Sequence, residues 1–294
     1  MRVFVTGATG FVGSEVVRCL QRSGHAVLGL ARSQTSADLL EARGAGVHRG
    51  DLGDVDALRA GADACDAVIH TAFVHDFSRY AESCELDRRV VAALGEPLRG
   101  SDRPILITSG IVGGVRAEDD RLAPGASKDV PRAASEEAAD ALASEGIRAS
   151  VVRLPPTVHG NGDGGLIPMM IARAKAKGAS AYVGRGENQW SAVARTDAAQ
   201  LYVLALDKAR PGDRYHGVAE PEIPFRQIAE RIGAELGVPT RALSEADAAA
   251  HFGLLAWMAG MESSASSEFT REFLGWSPTG LPLLDDLSNA DYFS

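Results

Sequence analysis

Apolar residues arrive in short runs through the first half of the chain: RVFVT (2–6), HAVLGLA (25–31), GVHR (46–49), DAVIH (66–70), PILIT (104–108) and ASVVRLP (149–155). Between them lie longer stretches with apolar positions at helical spacing, such as Val16, Val17 and Leu20. Strands alternating with helices in this way predict a parallel sheet with right-handed crossovers. Beyond Pro155 the pattern changes. Glycine and proline gather around one apolar helix, LIPMMIARAKAKG (166–178), before SAVARTDAAQLYVLAL (191–206) returns to the main body. After Pro211, PFRQIAERIGAELG (224–237), SEADAAAHFGLLAWM (244–258) and SSEFTREFLGW (266–276) read as helices. The expected architecture is α/β, a Rossmann-type doubly wound parallel sheet formed by 1–154 and 189–211. A smaller, mostly helical C-terminal substrate lobe takes 155–188 and 212–294.

A chain of 294 residues is long enough for such a body and lobe. With 45% hydrophobic and 23% charged residues, disorder is not expected of any long segment. The net charge of −9 argues against a nucleic-acid partner or an anionic membrane surface. No apolar run reaches the roughly 20 residues that span a bilayer, and the start lacks the features of a secretory signal, so a cytoplasmic location is expected. Cys19, Cys65 and Cys84 have no metal-type spacing, which predicts buried thiols and no metal site.

The first strand runs into Gly7, Gly10 and Gly13, and a helix follows. Bare Cα atoms at Gly7 and Gly10 let a pyrophosphate approach the backbone, Gly13 lets the helix lie close against the sheet, and the free N–H groups of the first helical turn face the phosphates, so Gly7, Thr9, Gly10, Phe11, Val12 and Gly13 form a candidate dinucleotide site. In open parallel sheets the ligand lies beyond the carboxyl ends of the strands. That rule adds Arg32, Ser33, Asp51, Leu52, Thr71, Ala72, Pro155 and the strand end Thr108, Ser109 and Gly110.

The spacing GxxGxxG in VTGATGFVG resembles the extended short-chain dehydrogenase/reductase superfamily, relatives of the sugar-nucleotide epimerases and dehydratases. By that resemblance Ala31 stands where an acidic residue would hold the ribose of NAD. The forked donors of Arg32, with Ser33 beside it, then favour NADP(H), with NAD(H) as the alternative. Asp51 and Leu52 match the adenine-contacting pair, although Asp51 alternatively caps the helix starting near Asp54. The resemblance places His70, Thr71 and Ala72 where the fourth strand nears the cofactor; His70 also reads as a satisfied core histidine. It further implies dimerisation through helices beside the sheet.

The catalytic pattern of that superfamily is missing. Gly110 stands at its serine, and Arg132 and Glu136 replace the tyrosine and lysine of its YxxxK pair. Arginine is a poor proton donor, and a glutamate raises a neighbouring acid's pKa. Four residues apart, the two are expected to pair on the helix surface. The chain thus resembles the atypical members, through FVHDFSRY, TSG, RLPPTVHGNGD, SAYVGRGENQW, YHGVAE and FTREFLGWSP. Thr108 and Ser109 remain as hydrogen-bond donors, and His159 or His75 as the proton source, the latter with Asp76 beside it and Tyr80 following. Pro155 and Pro156 form a rigid wall, and Arg153 pairs with an acid inside the body. Trp190 replaces a phosphate-gripping arginine and, with Met169, Met170, Phe252, Trp257 and Met258, forms an apolar pocket. The expected function is NADP(H)-dependent reduction of a small, largely uncharged carbonyl or related unsaturated compound. A non-catalytic NADP(H) sensor is the alternative. A sugar-nucleotide epimerase or dehydratase, supported by Arg185 and Arg195, is the third reading.

Overall fold

The computed structural model describes residues 1–288 and 290–293. Its body is a seven-stranded parallel sheet. Strands β1 (Arg2–Thr6), β2 (Ala26–Ala31), β3 (Gly46–Arg49), β4 (Ala67–His70), β5 (Pro104–Gly110), β6 (Arg148–Leu154) and β10 (Arg214–His216) lie in the order β3-β2-β1-β4-β5-β6-β10. The order reverses between β1 and β4, the switch point at which doubly wound sheets bind ligands.

Both faces are covered, which is why the strands read as unbroken apolar runs. Val3 and Val5 of β1 face a core shared with α1 (Phe11–Arg22) and α7 (Arg195–Lys208), through Val17, Leu20, Leu201 and Tyr202. Phe4, pointing the other way, meets α3 (Val55–Asp63) and α4 (Tyr80–Gly95); α5 (Ala133–Ser144) completes that layer with Leu142. Helix α2 (Gln34–Ala42) follows β2.

The lobe is less helical than its sequence suggests. Strands β7 (Thr157–His159), β9 (Gln189–Ala194) and β11 (Glu220–Pro224) form one small sheet, and β8 (Ser180–Val183) pairs with β12 (Thr240–Leu243). Around them pack α6 (Leu166–Lys177), α8 (Phe225–Leu236) and α9 (Glu245–Phe252). The stretch 244–258 breaks after α9, where Gly253 has φ +61° and starts a separate turn.

The expected boundary at residue 212 needs correction. Strand β10 pairs with β6, and α11 (Glu268–Leu274) and the Trp276 ring pack on the body's core, with the Trp276 indole N–H donating to the Asp197 carbonyl at 3.0 Å. An amphipathic pattern shows that a helix buries one face and not which surface receives it. Strand β9, expected in the body, joins the lobe's sheet instead.

Candidate active site

Each glycine of the first turn does a different job. Gly7 has φ +68°, and a Cβ there would stand 2.7 Å from the Ala72 nitrogen and 2.8 Å from Thr71 Oγ1. At Gly13 a Cβ would meet the Gly7 carbonyl oxygen at 2.1 Å. Both therefore serve the turn's own packing against β4. A Cβ on Gly10 would meet only the Gly7 oxygen, at 3.2 Å, so the turn leaves more room at Gly10 than at Gly7. Gly10 is also the N-cap of α1; no side chain caps that end and no acid lies in its first turn. The N–H groups of Phe11, Val12 and Gly13 thus remain donors for an anion, which fits a dinucleotide's pyrophosphate. Thr9, Phe11 and Val12 are half-buried around them.

At the second strand's end, Arg32 is exposed and engages no partner among the described residues. Ser33 caps α2, accepting from the Ser36 N–H at 3.1 Å, and Arg49 donates to the Ser33 carbonyl at 2.8 Å. The Asp51 carboxylate accepts from Gly53 N–H at 2.7 Å, while Asp54 caps α3 from Ala57 N–H at 3.0 Å. Asp51 is therefore not the helix cap. Leu52 packs half-buried against the core.

The strand end of β5 offers little to a substrate. The Thr108 hydroxyl donates to the His70 carbonyl at 2.7 Å and meets the Tyr202 hydroxyl at 2.7 Å, so it is committed between the sheet and α7. Ser109 Oγ is buried without a well-formed hydrogen bond, on the side facing Glu136, whose ionised form it favours. A Cβ on Gly110 would find only ordinary contacts, 3.6 Å to Val112 and 3.8 Å to the Leu154 oxygen, so the serine's place is empty of side chain though not of room.

Arg132 and Glu136 do not pair on the surface. Both are buried, each in its own network. Arg132 donates to Asp87 at 2.7 Å, to the Thr108 carbonyl at 2.7 Å and to the Ser135 hydroxyl. Asp87 also binds His70 Nε2 at 2.8 Å, and His70 Nδ1 meets Thr6 Oγ1 at 2.6 Å, the satisfied core histidine the sequence suggests. Burial works to raise the Asp87 pKa, but the hydrogen bonds and charges of His70 and Arg132 outweigh it and hold the carboxyl well below the usual range. Glu136 takes a forked pair from Arg153 at 2.9 and 2.8 Å, with Arg214 at 3.4 Å, which identifies the acid that Arg153 meets inside the body. Arg153 also reaches His216 Nε2 at 3.2 Å while Nδ1 faces the Ser266 carbonyl at 2.7 Å; burial first and Arg153 second push His216 down to about 4. The surface expectation fails because α5 is flanked by α4 on one side and β6 on the other. Asp87 was missed, although an acid inside the apolar stripe of Leu86, Val90, Val91 and Leu94 is a readable signal.

Above Arg132 lies an aromatic group on the loop after β4. The guanidinium carbon sits 4.2 Å from the Phe73 ring centre; Phe73 meets His75 edge-on at 5.2 Å and Tyr80 at 6.1 Å. His75 is exposed, yet desolvation by its neighbours first and the charge of Arg132 second lower its pKa. Asp76 does not face it: its carboxylate accepts from Ser78 N–H at 3.0 Å and Ser78 Oγ at 2.6 Å. Burial and the neighbouring Cys84 push the Tyr80 phenol up to about 12.

Other candidates sit elsewhere. His159 is 1% exposed and pairs through Nδ1 with Asp286 at 2.9 Å, leaving Nε2 buried and without a partner among the described residues, so it is removed from solvent. Trp190 is fully buried 4.8 Å from Phe225 in the lobe's core, with Met170, Phe252 and Met258, and does not line an open pocket; Trp257 is exposed. Pro155 is buried and Pro156 half-buried between β6 and β7. Arg195 lies over the Phe11 ring at 4.8 Å and donates to Ser14 Oγ at 2.7 Å and to the Asn161 carbonyl at 3.2 Å, whereas Arg185 pairs with Glu187 on the surface.

Residues 3–218 match the NAD dependent epimerase/dehydratase family. The chain belongs to this family. It is 49% identical over its whole length, and over all of the relative, to an uncharacterised protein of Schizosaccharomyces pombe. It is also 29% identical to the 2-alkyl-3-oxoalkanoate reductase of Stenotrophomonas maltophilia, covering 81% of this chain and 77% of that one. The dTDP-glucose 4,6-dehydratase of Streptomyces venezuelae, solved with NAD bound, superposes with a TM-score of 0.75 at 20% identity, over 98% of this chain and 95% of that one, which shows the fold. These likenesses place the family member within the extended short-chain dehydrogenase/reductase superfamily, whose members bind NAD(P). Among the described residues no helix is long and apolar enough to cross a membrane.

Proposed function

We propose that the protein is an NADP(H)-dependent reductase of small, largely uncharged carbonyl compounds. The cofactor is held by the Gly10 space and the first-turn N–H groups, and its nicotinamide supplies the hydride. Arg32, free of partners among the described residues and beside a strand end without a carboxylate, grips the 2′-phosphate. The observation that carries the assignment of roles is the commitment of the Thr108 hydroxyl to the sheet and α7 together with the exposure of His75 beyond the carboxyl end of β4. His75 then protonates the oxygen that develops negative charge, since an imidazolium is the strongest acid available there and the Tyr80 phenol, pushed up to about 12, is a weak one. A relative whose name records the reduction of a 3-oxoalkanoate supports carbonyl chemistry. NADPH oxidation over a panel of ketones, aldehydes, quinones and enones tests the reading. Tight binding with no compound accelerating oxidation favours the alternative, a protein that binds NADP(H) without turnover, to which the absence of a hydroxyl at Gly110 lends support.

A further inference from the structure

A proton donor must be held close to its productive geometry, and His75 lies on a segment without regular structure between β4 and the turn at Phe77–Arg79. Its support comes from beneath. The Arg132 guanidinium is locked in plane by Asp87, Ser135 and the Thr108 carbonyl, and Asp87 is locked in turn by His70. The face left over carries the Phe73 ring, and the imidazole stands in T-shaped contact with that ring. We propose that Arg132 and Phe73 form a pedestal that positions His75 beyond the carboxyl end of β4, so that the residue standing at the family's tyrosine acts through an aromatic ring and never gives up a proton itself. This inference rests on the reductase reading.

The chemistry of the parts fits. Arginine stays charged at all working pH values, which excludes it as the acid and makes it a permanent cation under the ring. The groups facing His75 are Arg132 from the turn before α5, Asp87 from α4 and Phe73 from its own segment; Tyr80 faces it across Phe73, and Asp76 is turned to Ser78. Of the two charges Arg132 has the larger influence, and it acts with burial to disfavour the imidazolium. The imidazolium is thereby a stronger acid than free histidine, populated at the acidic end of the working range.

Ring NMR titration of the full-length protein without cofactor, with the His75 signal assigned through His75→Gln, reads the pedestal directly. The wild-type midpoint is expected below the ordinary 6.5. Phe73→Leu removes the ring and no buried charge, so it folds; it is expected to move the midpoint up toward that value and to lower kcat/KM for carbonyl reduction by roughly 10²-fold with NADPH affinity unchanged. Arg132→Gln moves the midpoint the same way, and Arg132→Lys, which keeps the charge, brings it part of the way back. An unmoved midpoint or full turnover in Phe73→Leu overturns the pedestal. The titration needs no turnover. A midpoint that responds as expected in a protein reducing no carbonyl therefore supports the pedestal and counts against the reductase reading alone.

Discussion

Glu136 stands where the superfamily has a lysine, and restoring that lysine is expected to unfold the protein rather than to repair it. The carboxylate is 3% exposed and is the common acceptor of Arg153, which is fully buried, and Arg214. Removing one partner of a buried ion pair costs about 3–5 kcal/mol, because the remaining charge stays desolvated. Glu136→Gln keeps the volume and removes the charge, so it should lose about that much. At about 2 °C per kcal/mol for a chain of this length, the melting temperature falls by about 6–10 °C. Glu136→Lys adds a third cation to two guanidiniums, and the loss approaches the roughly 5–15 kcal/mol that holds a whole domain together. Circular dichroism against temperature and urea measures both variants. Glu145→Gln, which breaks only the exposed pair with Arg99, is the control and should shift stability by less than about 1 kcal/mol. The pH dependence has a definite sign. Burial raises the Glu136 pKa, but the Arg153 hydrogen bonds and the two guanidinium charges more than offset it, so the folded value lies below the unfolded 4.5. The contribution is therefore complete above about 4.5 and lost as pH falls through the lower folded value. A Glu136→Gln protein that melts with the wild type, or Glu136→Lys that gains activity, would refute the buried-network argument.

Three further outcomes separate the parts of the site. Arg32→Ala should weaken NADPH binding by roughly tenfold, about 1.4 kcal/mol, and leave NADH within about twofold, as calorimetry with both cofactors would read; equal losses remove the 2′-phosphate role. Gly10→Ala should keep the fold and lose cofactor affinity, whereas Gly13→Ala should lose stability itself, because its Cβ would lie 2.1 Å from the Gly7 oxygen; equal melting temperatures contradict the division of labour among the glycines. Thr108→Val should lower stability by about 1–3 kcal/mol through the unpaired groups of His70 and Tyr202, with activity per folded molecule retained; a selective loss of kcat would return Thr108 to the catalytic centre.

The body was legible because strands alternating with helices imply a parallel sheet with right-handed crossovers, and each expected body strand from β1 to β6 lies where its apolar run falls. What escaped was long-range. Helix α11 and Trp276 are amphipathic or apolar in any setting, so nothing local says that they return to the body rather than join the lobe. Arg132 and Glu136 look like a surface pair at four-residue spacing because their true partners, Asp87, Arg153 and Arg214, lie 45, 17 and 78 residues away. The glycine turn shows the same limit in small form: Gly13 packs closely as its place at the helix start implies, whereas the crowding at Gly7 depends on the Ala72 and Thr71 atoms that follow β4.

Single-turnover stopped flow addresses the chemistry most directly, with protein preloaded with NADPH and mixed with the carbonyl panel. A carbonyl-dependent loss of nicotinamide absorbance that His75→Gln slows by about 10²–10⁴-fold, with NADPH binding intact, is the expected result. Tight NADPH binding with no loss of absorbance for any compound, or His75→Gln turning over at the wild-type rate, would contradict it.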